Sequence, residues 1–262
     1  MLNSSNYAKS LLNGDPLLSV VTVTRNDLFG LNKTIDSLKA IRSESIQLII
    51  VDGSDADYPG VHASELSEFQ KVQLIREKDY GIYHAMNKGL RLASGKFVWF
   101  LNGGDINLMK TTNFLSDHIS GEPLPVLLGR YRLGTQTFSL KRKPSNISKI
   151  KHGLPTSHQA IFYPCDYFKK IGFDLNYRMC ADYASLAVLH KKGLSFQYLN
   201  EEIAEFNLDG FSGRNQPLLM REAMEIQKNI LGLSFYYVFV SQLRHRFTAK
   251  VRNIFNVIAG LR

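Results

Sequence analysis

The first half of the chain alternates short apolar runs with stretches in which apolar residues recur every three or four positions. The runs predict buried strands and the spaced pattern predicts amphipathic helices. Strands are predicted at Leu18–Thr24, Gln47–Val51, Val72–Ile75 and Lys96–Leu101. Helices are predicted around Leu28, Leu31, Ile35 and Leu38, and from Gly81 to Ala93 with Ile82, Met86, Leu90 and Ala93 inward. This alternation favours an α/β fold with a mostly parallel sheet flanked by helices.

The second half is less regular. Its pattern predicts paired strands over Val126–Leu140, a basic loop at Lys141–Lys143, a strand at Ala160–Tyr163, a helix at Asp182–Lys192, strands at Leu194–Leu199 and Ile203–Phe206, and mostly helix from 215 to 262. We therefore divide the chain into an N-terminal extension (1–17), one α/β domain (18–214) and a C-terminal helical extension (215–262).

Polar side chains follow the predicted strands of the first half. Asn26, Asp52, Asp79 and Asp105 each come just after such a strand. Parallel sheets of this class bind ligands beyond the carboxyl ends of their strands. These side chains are therefore expected to converge on one rim of the sheet.

Asp105 ends the segment Asn102-Gly-Gly-Asp105. A Gly-Gly pair, here Gly103 and Gly104, lets the backbone pass close to a ligand. Mg²⁺ needs only one or two carboxylates when substrate phosphates complete its shell, so Asp105 is a candidate metal ligand. The alternative is an aspartate that closes an ordinary turn or caps the next helix.

The other acidic residues of the rim have two interpretations each. Asp52 and Asp79 either bind a ribose or a base, or only close turns. The segment Asp79–Gly89 also brings Asn87 and Lys88 onto a helix near this rim, where Lys88 is a candidate partner of a diphosphate. A lysine on a helix is otherwise simply solvated.

Candidate residues for proton transfer lie in the second half. Asp182 stands at the predicted start of a helix, where it acts either as an N-cap or as a general base toward an attacking hydroxyl. His158 and Gln159 directly precede a predicted strand, and a single histidine there is more often a structural hydrogen-bonding residue than a catalyst.

The composition is that of a globular protein with a core, with 44% hydrophobic and 21% charged residues among 262. The net charge of +9 points to an anionic partner, such as nucleic acid, a phosphorylated substrate or a lipid surface. Cys165 and Cys180 form no CxxC pair and predict reduced thiols. Met1–Ser10 lacks the pattern of a signal peptide, and the longest apolar run, Phe235–Val240, is far shorter than the ~20 residues that span a bilayer.

Taken together, the motifs resemble the family 2 glycosyltransferases of the GT-A fold. Thr22-Val-Thr-Arg-Asn26 is similar to the family's first-strand nucleotide motif, and Val51-Asp-Gly-Ser-Asp55 is similar to its Val-Asp-Asp-Gly-Ser. Asp105 matches the metal-binding end of Asp-x-Asp, and Asp182 matches the base of Glu-Asp. A narrower resemblance, to colanic-acid-type bacterial polysaccharide glycosyltransferases, rests on Asp79–Gly89, Phe100–Asp105, Ser157–Pro164 and Asp182-Tyr-Ala.

The resemblance implies an inverting enzyme that transfers a hexose or deoxyhexose from a nucleoside-diphosphate sugar to a hydroxyl of a lipid-linked saccharide. It implies that Asp182 is the catalytic base, that Asp105 binds Mg²⁺ or Mn²⁺, and that His158 and Gln159 contact the acceptor. The implied donor site consists of Thr24, Arg25, Asn26, Asp52, Gly53, Asp79, Gly81, Asn87, Lys88 and Gly104.

The chain departs from the family pattern at several positions. Asn102-Gly-Gly-Asp105 keeps only the final acid of Asp-x-Asp, which puts the strength of metal binding in question. Ala181 replaces the glutamate before the base, and Arg25 replaces a tyrosine of the nucleotide motif.

The C-terminal extension combines aromatic and basic residues. Phe235, Tyr236, Tyr237 and Phe239 precede Arg244, Arg246, Lys250 and Arg252. A basic amphipathic helix of this kind binds an anionic membrane surface, which predicts a cytoplasmic protein peripheral to the inner face of the membrane. The alternative is a helix that packs on its own domain or on a second subunit.

The sequence gives less support to other classes of function. A non-catalytic protein that binds nucleotide sugars and keeps the fold is the main alternative, because only one acid of Asp-x-Asp is present. A nucleotidyltransferase is disfavoured because Thr24–Asp27 replaces a glycine-rich loop, and a dehydrogenase because no G-x-G-x-x-G follows a strand. No nucleic-acid-binding motif accompanies the positive charge, so nucleic acid is not an expected partner.

Overall fold

The computed structural model describes residues 15–43, 45–134, 139–207 and 215–241. Its strands are β1 (Leu18–Thr24), β2 (Ile46–Asp52), β3 (Lys71–Arg76), β4 (Phe97–Phe100), β5 (Ile106–Asn107), β6 (Val126–Gly134), β7 (Ser139–Arg142), β8 (Ile161–Pro164) and β9 (Phe196–Asn207). Its α-helices are α1 (Leu28–Leu38), α2 (Ala63–Leu66), α3 (Ile82–Leu92), α4 (Cys165–Lys169), α5 (Ala181–Lys191) and α6 (Gln216–Glu225).

All the described strands join one sheet in the order β3-β2-β1-β4-β8-β6-β9-β5, with β7 added beside β6. The half made of β3, β2, β1 and β4 is parallel throughout. Strand β8 runs antiparallel to both β4 and β6, whereas β6 and β9 pair in parallel. The carboxyl ends of β1, β2 and β4 therefore share one edge of the sheet, as the sequence predicts.

Helices cover both faces of the sheet, because successive residues of a strand point to opposite faces. Val20 of β1 packs in the cluster that contains Leu31, Ile35 and Leu38 of α1. Val21 packs in the second cluster, on the opposite face. That cluster is built largely from α3, α4 and α5. The predicted mixed α/β fold with a mostly parallel half-sheet and flanking helices is confirmed.

Several local predictions were wrong. The strands predicted at Leu194–Leu199 and Ile203–Phe206 form a single strand, β9. They look separate in sequence because Asn200, Glu201 and Glu202 interrupt the apolar pattern at a bulge opposite β6. Lys141 and Arg142 lie in β7 and pair with β6, not in a loop. On α3 the inward residue is Tyr83, whereas Ile82 is 40% exposed.

The described part of the C-terminal extension packs on the domain. It continues from α6 through one turn of π-helix at Ile226–Ile230 to a helical segment over 235–241. Ile226 is fully buried and belongs to the same apolar cluster as α3 and α5, and Val238 is 5% exposed. The predicted basic residues from Arg244 to Arg252 lie outside the described residues.

The described part of the N-terminal extension also contacts the sheet. The Pro16 carbonyl accepts from the N–H of Lys96, and the Leu17 N–H donates to the Ser45 carbonyl at 2.7 Å. Leu17 is 3% exposed. Within the described residues, no helix is both long and apolar enough to cross a membrane.

Candidate active site

A cleft of about 290 Å³ opens where β1 and β4 end, against the start of α3. It is lined by Val23, Thr24, Arg25, Asp27, Asp79, Gly81, Ile82, Ala85, Asn102 and Gly103. Thr24, Arg25, Asp79 and Gly81 of the predicted donor site thus lie together around one cavity, at the rim where the sequence places them.

The loop after β1 is fixed by Asn26. This residue adopts a positive φ of 51°, which a non-glycine residue rarely does outside a turn. Its N–H donates to Ser54 Oγ at 2.8 Å, and its side-chain amide exchanges hydrogen bonds with Asp55. Asn26 therefore holds together the loops that follow β1 and β2.

Asp52 ends β2 as a buried carboxylate. Its Oδ1 accepts from the Ser54 N–H at 2.9 Å, and its Oδ2 lies 3.6 Å from Nε of Arg76. Arg76 also donates to the carbonyls of Asp55 and Tyr58, so one guanidinium stabilises the loop that follows β2. Sequence reasoning missed Arg76, which only looks like the polar end of a strand.

Gly53 and Asp79 are in close contact. A Cβ atom at Gly53 would lie 1.7 Å from Asp79 Oδ2, so any other residue there would push this carboxylate out of its present position. The Oδ1 atom of Asp79 accepts from the Gly81 N–H at 2.8 Å. Gly81 has φ 128°, a conformation that favours glycine, and it begins α3. These glycines bring the Asp79 carboxylate to the wall of the cleft.

Asn87 and Lys88 lie on α3 but do not line the cleft. The Asn87 amide forms hydrogen bonds with both the N–H and the carbonyl of Phe173. The Lys88 ammonium, 6% exposed, lies 2.8 Å from Glu77 Oε1 and donates to the Lys78 carbonyl at 2.8 Å. Both side chains thus support the segments around the cleft, and their predicted contact with a nucleotide stays a prediction.

The loop Asn102–Asp105 is attached to α1 through Thr34. The buried Thr34 hydroxyl donates to the Asp105 carbonyl at 2.7 Å and accepts from the Gly104 N–H at 3.0 Å. The same N–H also reaches the Gly30 carbonyl, so it is not free for a phosphate. Thr34 was missed because its partners are distant in sequence. Gly104, with φ 94°, allows the sharp turn of this loop.

The Asp105 carboxylate faces inward from this loop. Its Oδ2 accepts from Gln159 Nε2 at 3.2 Å and from the Asn102 N–H at 3.3 Å. Burial raises the pKa of Asp105 to about 6, against the lowering effects of His158 and of these hydrogen bonds. The carboxylate is therefore mostly ionised at neutral pH but takes up a proton in mild acid.

Asp182 lies in the first turn of α5 and is 7% exposed. Its Oδ1 accepts from the Tyr183 N–H at 2.8 Å and from the Tyr83 hydroxyl at 3.1 Å. Its Oδ2 lies 3.4 Å from Nδ1 of His158. Burial, together with the charge of Asp182, raises the pKa of Tyr83 well above its ordinary value, so Tyr83 stays a hydrogen-bond donor.

His158 connects Asp182 with the Asn102–Asp105 loop. Its Nε2 lies 3.3 Å from Asn102 Nδ2, which fits the tautomer with hydrogen on Nδ1. Its neighbour Gln159 reaches Asp105, and the Gln159 carbonyl accepts from Trp99 Nε1 at 2.8 Å. The predicted base, metal ligand and acceptor residues therefore form one network, in which hydrogen bonds connect Asp105, Gln159, Asn102 and His158 and a 3.4 Å contact connects His158 with Asp182.

Two side chains of this loop, Asn102 and Asp105, offer oxygen atoms of the kind that a hard divalent cation prefers. Asn102 Oδ1 is buried and, among the described residues, has no hydrogen-bond partner. Asp105 Oδ1 is the second oxygen of the same loop. No group of at least three His, Cys, Asp or Glu side chains able to hold a metal occurs in the described residues. A cation held here would thus depend on substrate oxygens for most of its shell.

Comparison with known proteins supports the family suggested by the motifs. The sequence profile described as Glycosyl transferase family 2 matches residues 19–181, from β1 to the residue before Asp182. The chain belongs to glycosyl transferase family 2. Sequence relatives of this family 2 glycosyltransferase include the PGL/p-HBAD biosynthesis glycosyltransferase of Mycobacterium bovis (strain BCG / Pasteur 1173P2). That protein is 26% identical over 221 residues, which cover 80% of this chain and 83% of the relative.

Solved structures show the same fold. TarS 1-349 of S. aureus in complex with UDP superposes with a TM-score of 0.60 at 16% identity, covering 84% of this chain and 68% of TarS 1-349. The match spans only 41% of the chain in another S. aureus TarS structure. The mannosyltransferase PcManGT from Pyrobaculum calidifontis, in complex with GDP-Man and Mn²⁺, gives 0.58 at 12% identity, covering 80% of this chain and 61% of PcManGT. The GT-A fold and family 2 membership are confirmed, whereas the colanic-acid-type resemblance stays a prediction.

Proposed function

We propose that this family 2 glycosyltransferase is an inverting enzyme of bacterial glycan biosynthesis. It transfers a hexosyl or deoxyhexosyl group from a nucleoside-diphosphate sugar to a hydroxyl of a lipid-linked saccharide. The observation that carries the proposal is the network from Asp105 through Asn102 and His158 to Asp182, which joins a candidate leaving-group site to a candidate base.

The donor is proposed to occupy the cleft beside β1. Thr24, Arg25, Asp79 and Gly81 line the cleft, and Asn26, Asp52 and Gly53 shape the loops behind it. TarS binds UDP and PcManGT binds GDP-Man in their crystal structures, which supports a nucleotide-bearing donor here. The Arg25 side chain is about half-exposed, and its contact with Asp55 is long, at 3.9 Å between Nη2 and Oδ1. The guanidinium is therefore available to a nucleotide.

Mg²⁺ or Mn²⁺ is proposed to bind Asp105 and Asn102 Oδ1 in the presence of the donor diphosphate. The solved structure of PcManGT in complex with GDP-Man and Mn²⁺ supports this choice. When bound, the cation neutralises negative charge on the departing nucleoside diphosphate. The hydrogen bond from Gln159 to Asp105 and the attachment of the loop to Thr34 hold the carboxylate in place for this role.

Asp182 is proposed to take the proton of the acceptor hydroxyl. An ionised carboxylate has about four lone-pair sites, and the two hydrogen bonds given by Tyr83 and Tyr183 both go to Oδ1 of Asp182. Oδ2, which lies 3.4 Å from Nδ1 of His158, is therefore the oxygen with room for the acceptor hydroxyl. As the acceptor oxygen bonds to the anomeric carbon, its proton moves to Asp182 and the bond to the diphosphate breaks, which inverts the configuration.

His158 and Gln159 are proposed to contact the acceptor at the junction between the base and the loop. His158 has a side chain that is 17% exposed, compared with 10% for Asp182, so it is the more accessible of the two. Its Nδ1, 3.4 Å from Asp182 Oδ2, also orients the carboxylate that receives the proton.

The protein is proposed to act as a peripheral protein at the inner face of the cytoplasmic membrane. Phe235, Tyr236, Phe239 and Val240 are 79%, 77%, 53% and 45% exposed on the outer side of the segment 235–241. An exposed aromatic patch next to a basic stretch of sequence suits an anionic lipid surface. Such a location would bring a lipid-linked acceptor to the enzyme.

The proposed donor and metal can be tested by thermal unfolding with UDP-, GDP- and dTDP-sugars, each with and without Mn²⁺ or Mg²⁺. A ligand that binds only the folded state raises the melting temperature by mass action. We expect one nucleotide class to do so in a metal-dependent way, and the Asp105→Ala variant to lose this effect. A stabilisation that is independent of metal and unchanged in Asp105→Ala would contradict the metal site. No response to any nucleotide sugar would contradict both the proposed transferase and the alternative of a non-catalytic nucleotide-sugar-binding protein.

A further inference from the structure

A carboxylate from the C-terminal extension is buried beside the start of α5. Glu222, on α6, is 2% exposed. Its neighbours on the same helix are far more open, with the Glu225 side chain 49% exposed in a surface ion pair with Arg221. A buried carboxylate is costly unless hydrogen bonds or opposite charge compensate for the lost water. The hydrogen-bond partners of Glu222 therefore explain why a buried carboxylate is tolerated at this position.

Glu222 binds three consecutive backbone N–H groups. Its Oε1 accepts from Arg178 at 2.8 Å, and its Oε2 accepts from Met179 at 2.8 Å and from Cys180 at 2.9 Å. In the part of the chain that the structure describes, no basic side chain forms an ion pair with it. Its charge is thus balanced by these N–H groups at the start of a helix, where an anion is favoured.

The segment that Glu222 holds leads directly into Asp182. Cys180 is the N-cap residue of α5, and its own side chain forms no capping hydrogen bond. The Met179 carbonyl lies 3.0 Å from the Tyr83 hydroxyl, the group that also reaches Asp182 Oδ1. The position of residues 178–180 therefore sets both the first turn that carries Asp182 and the tyrosine that contacts it.

We propose that Glu222 is a positioning residue for Asp182, and that α6 therefore contributes to the geometry of the active site. This inference rests on the proposed role of Asp182 as the base. By fixing three successive peptide units, Glu222 determines where the Asp182 carboxylate stands relative to the acceptor hydroxyl. The hydrogen-bond partners of Glu222, residues 178–180, are not among the residues that line the donor cleft, so donor affinity is expected to change little when Glu222 is substituted.

The test is Glu222→Gln, which keeps the size of the side chain but replaces one accepting oxygen by an amide donor facing an N–H group. We expect kcat for transfer to fall about 10-fold or more, because small displacements of a catalytic group cost up to about 100-fold. The Kd for the nucleotide-sugar donor should stay within about 2-fold of the wild-type value, since the cleft is intact. The matched control is Glu225→Gln, on the same helix, which should leave kcat unchanged.

A second control separates positioning from loss of stability. Val238→Ala removes buried apolar atoms from the extension without touching residues 178–180, and it should lower the melting temperature while keeping kcat. Wild-type kcat in Glu222→Gln, or an equal loss of kcat in Val238→Ala, would overturn the positioning role alone. A wild-type protein without transfer to any acceptor would overturn the proposed function and this inference together.

Discussion

At the scale of single residues, Asp105 combines two opposing demands. A carboxylate that binds a cation must be ionised, yet burial raises the pKa of Asp105 to about 6. The folded protein therefore binds the Asp105 proton at a higher pH than the unfolded chain, whose value is near 3.8. In such a case the free energy of unfolding decreases as the pH rises from about 4 through 6, because the folded state must then hold a charge that is partly withdrawn from water.

The Asp105→Asn variant should consequently be more stable than the wild type at pH 8 in the absence of metal. We expect a gain of about 1–2 kcal/mol, because one unit of pKa shift corresponds to about 1.4 kcal/mol and the residue is only part-buried. The advantage should disappear near pH 4, where the wild-type carboxyl is protonated. Thermal unfolding at both pH values measures the effect, with the exposed Asp117→Asn as control. An equal gain at both pH values would contradict the raised pKa.

At the scale of elements, the site depends on attachments between segments that are far apart in sequence. Thr34 on α1 holds the Asn102–Asp105 loop, and Arg76 at the end of β3 holds the loop after β2. The strands and the acidic residues at their ends could be predicted, because strand patterns and turn residues are local. Thr34 and Arg76 could not, since their hydrogen-bond partners are set only by the packing of the helices and strands.

Thr34→Val tests the attachment of the loop at constant size. Loss of the hydroxyl leaves the Asp105 carbonyl and the Gly104 N–H without this partner, which should cost about 1–3 kcal/mol. Metal-dependent donor binding should weaken as well. The matched control is Thr22→Val on β1, because the Thr22 hydroxyl is buried without a hydrogen-bond partner. That change should be neutral or stabilising. Equal effects of the two substitutions, measured by urea unfolding, would contradict the role of Thr34.

At the scale of the whole molecule, the C-terminal extension has two faces. Its inner face carries Ile226, Val238 and Glu222 into the domain, whereas its outer face presents aromatic residues. The sequence left open whether this extension packs on the protein or binds a membrane. In the described residues it packs, and the exposed aromatic residues leave its outer face available for lipid.

The triple variant Phe235→Ser, Tyr236→Ser and Phe239→Ser should bind anionic lipid vesicles less than the wild type, without a change in donor affinity. Removing exposed aromatic side chains takes away the apolar contact with the lipid but no buried core. Vesicle co-sedimentation measures this, and Phe29→Ser, at an 84% exposed position on α1, serves as control. Unchanged vesicle binding by the triple variant would contradict membrane contact through this patch.

The proposed role of Asp182 as the base of a sugar-transfer reaction is tested most directly by the turnover of Asp182→Asn with a donor that the wild type binds. The substitution keeps the shape of the side chain but removes its ability to take a proton. We expect kcat to fall by about 10²–10⁴-fold while the donor Kd stays nearly constant. Wild-type turnover in Asp182→Asn would show that Asp182 is not the base.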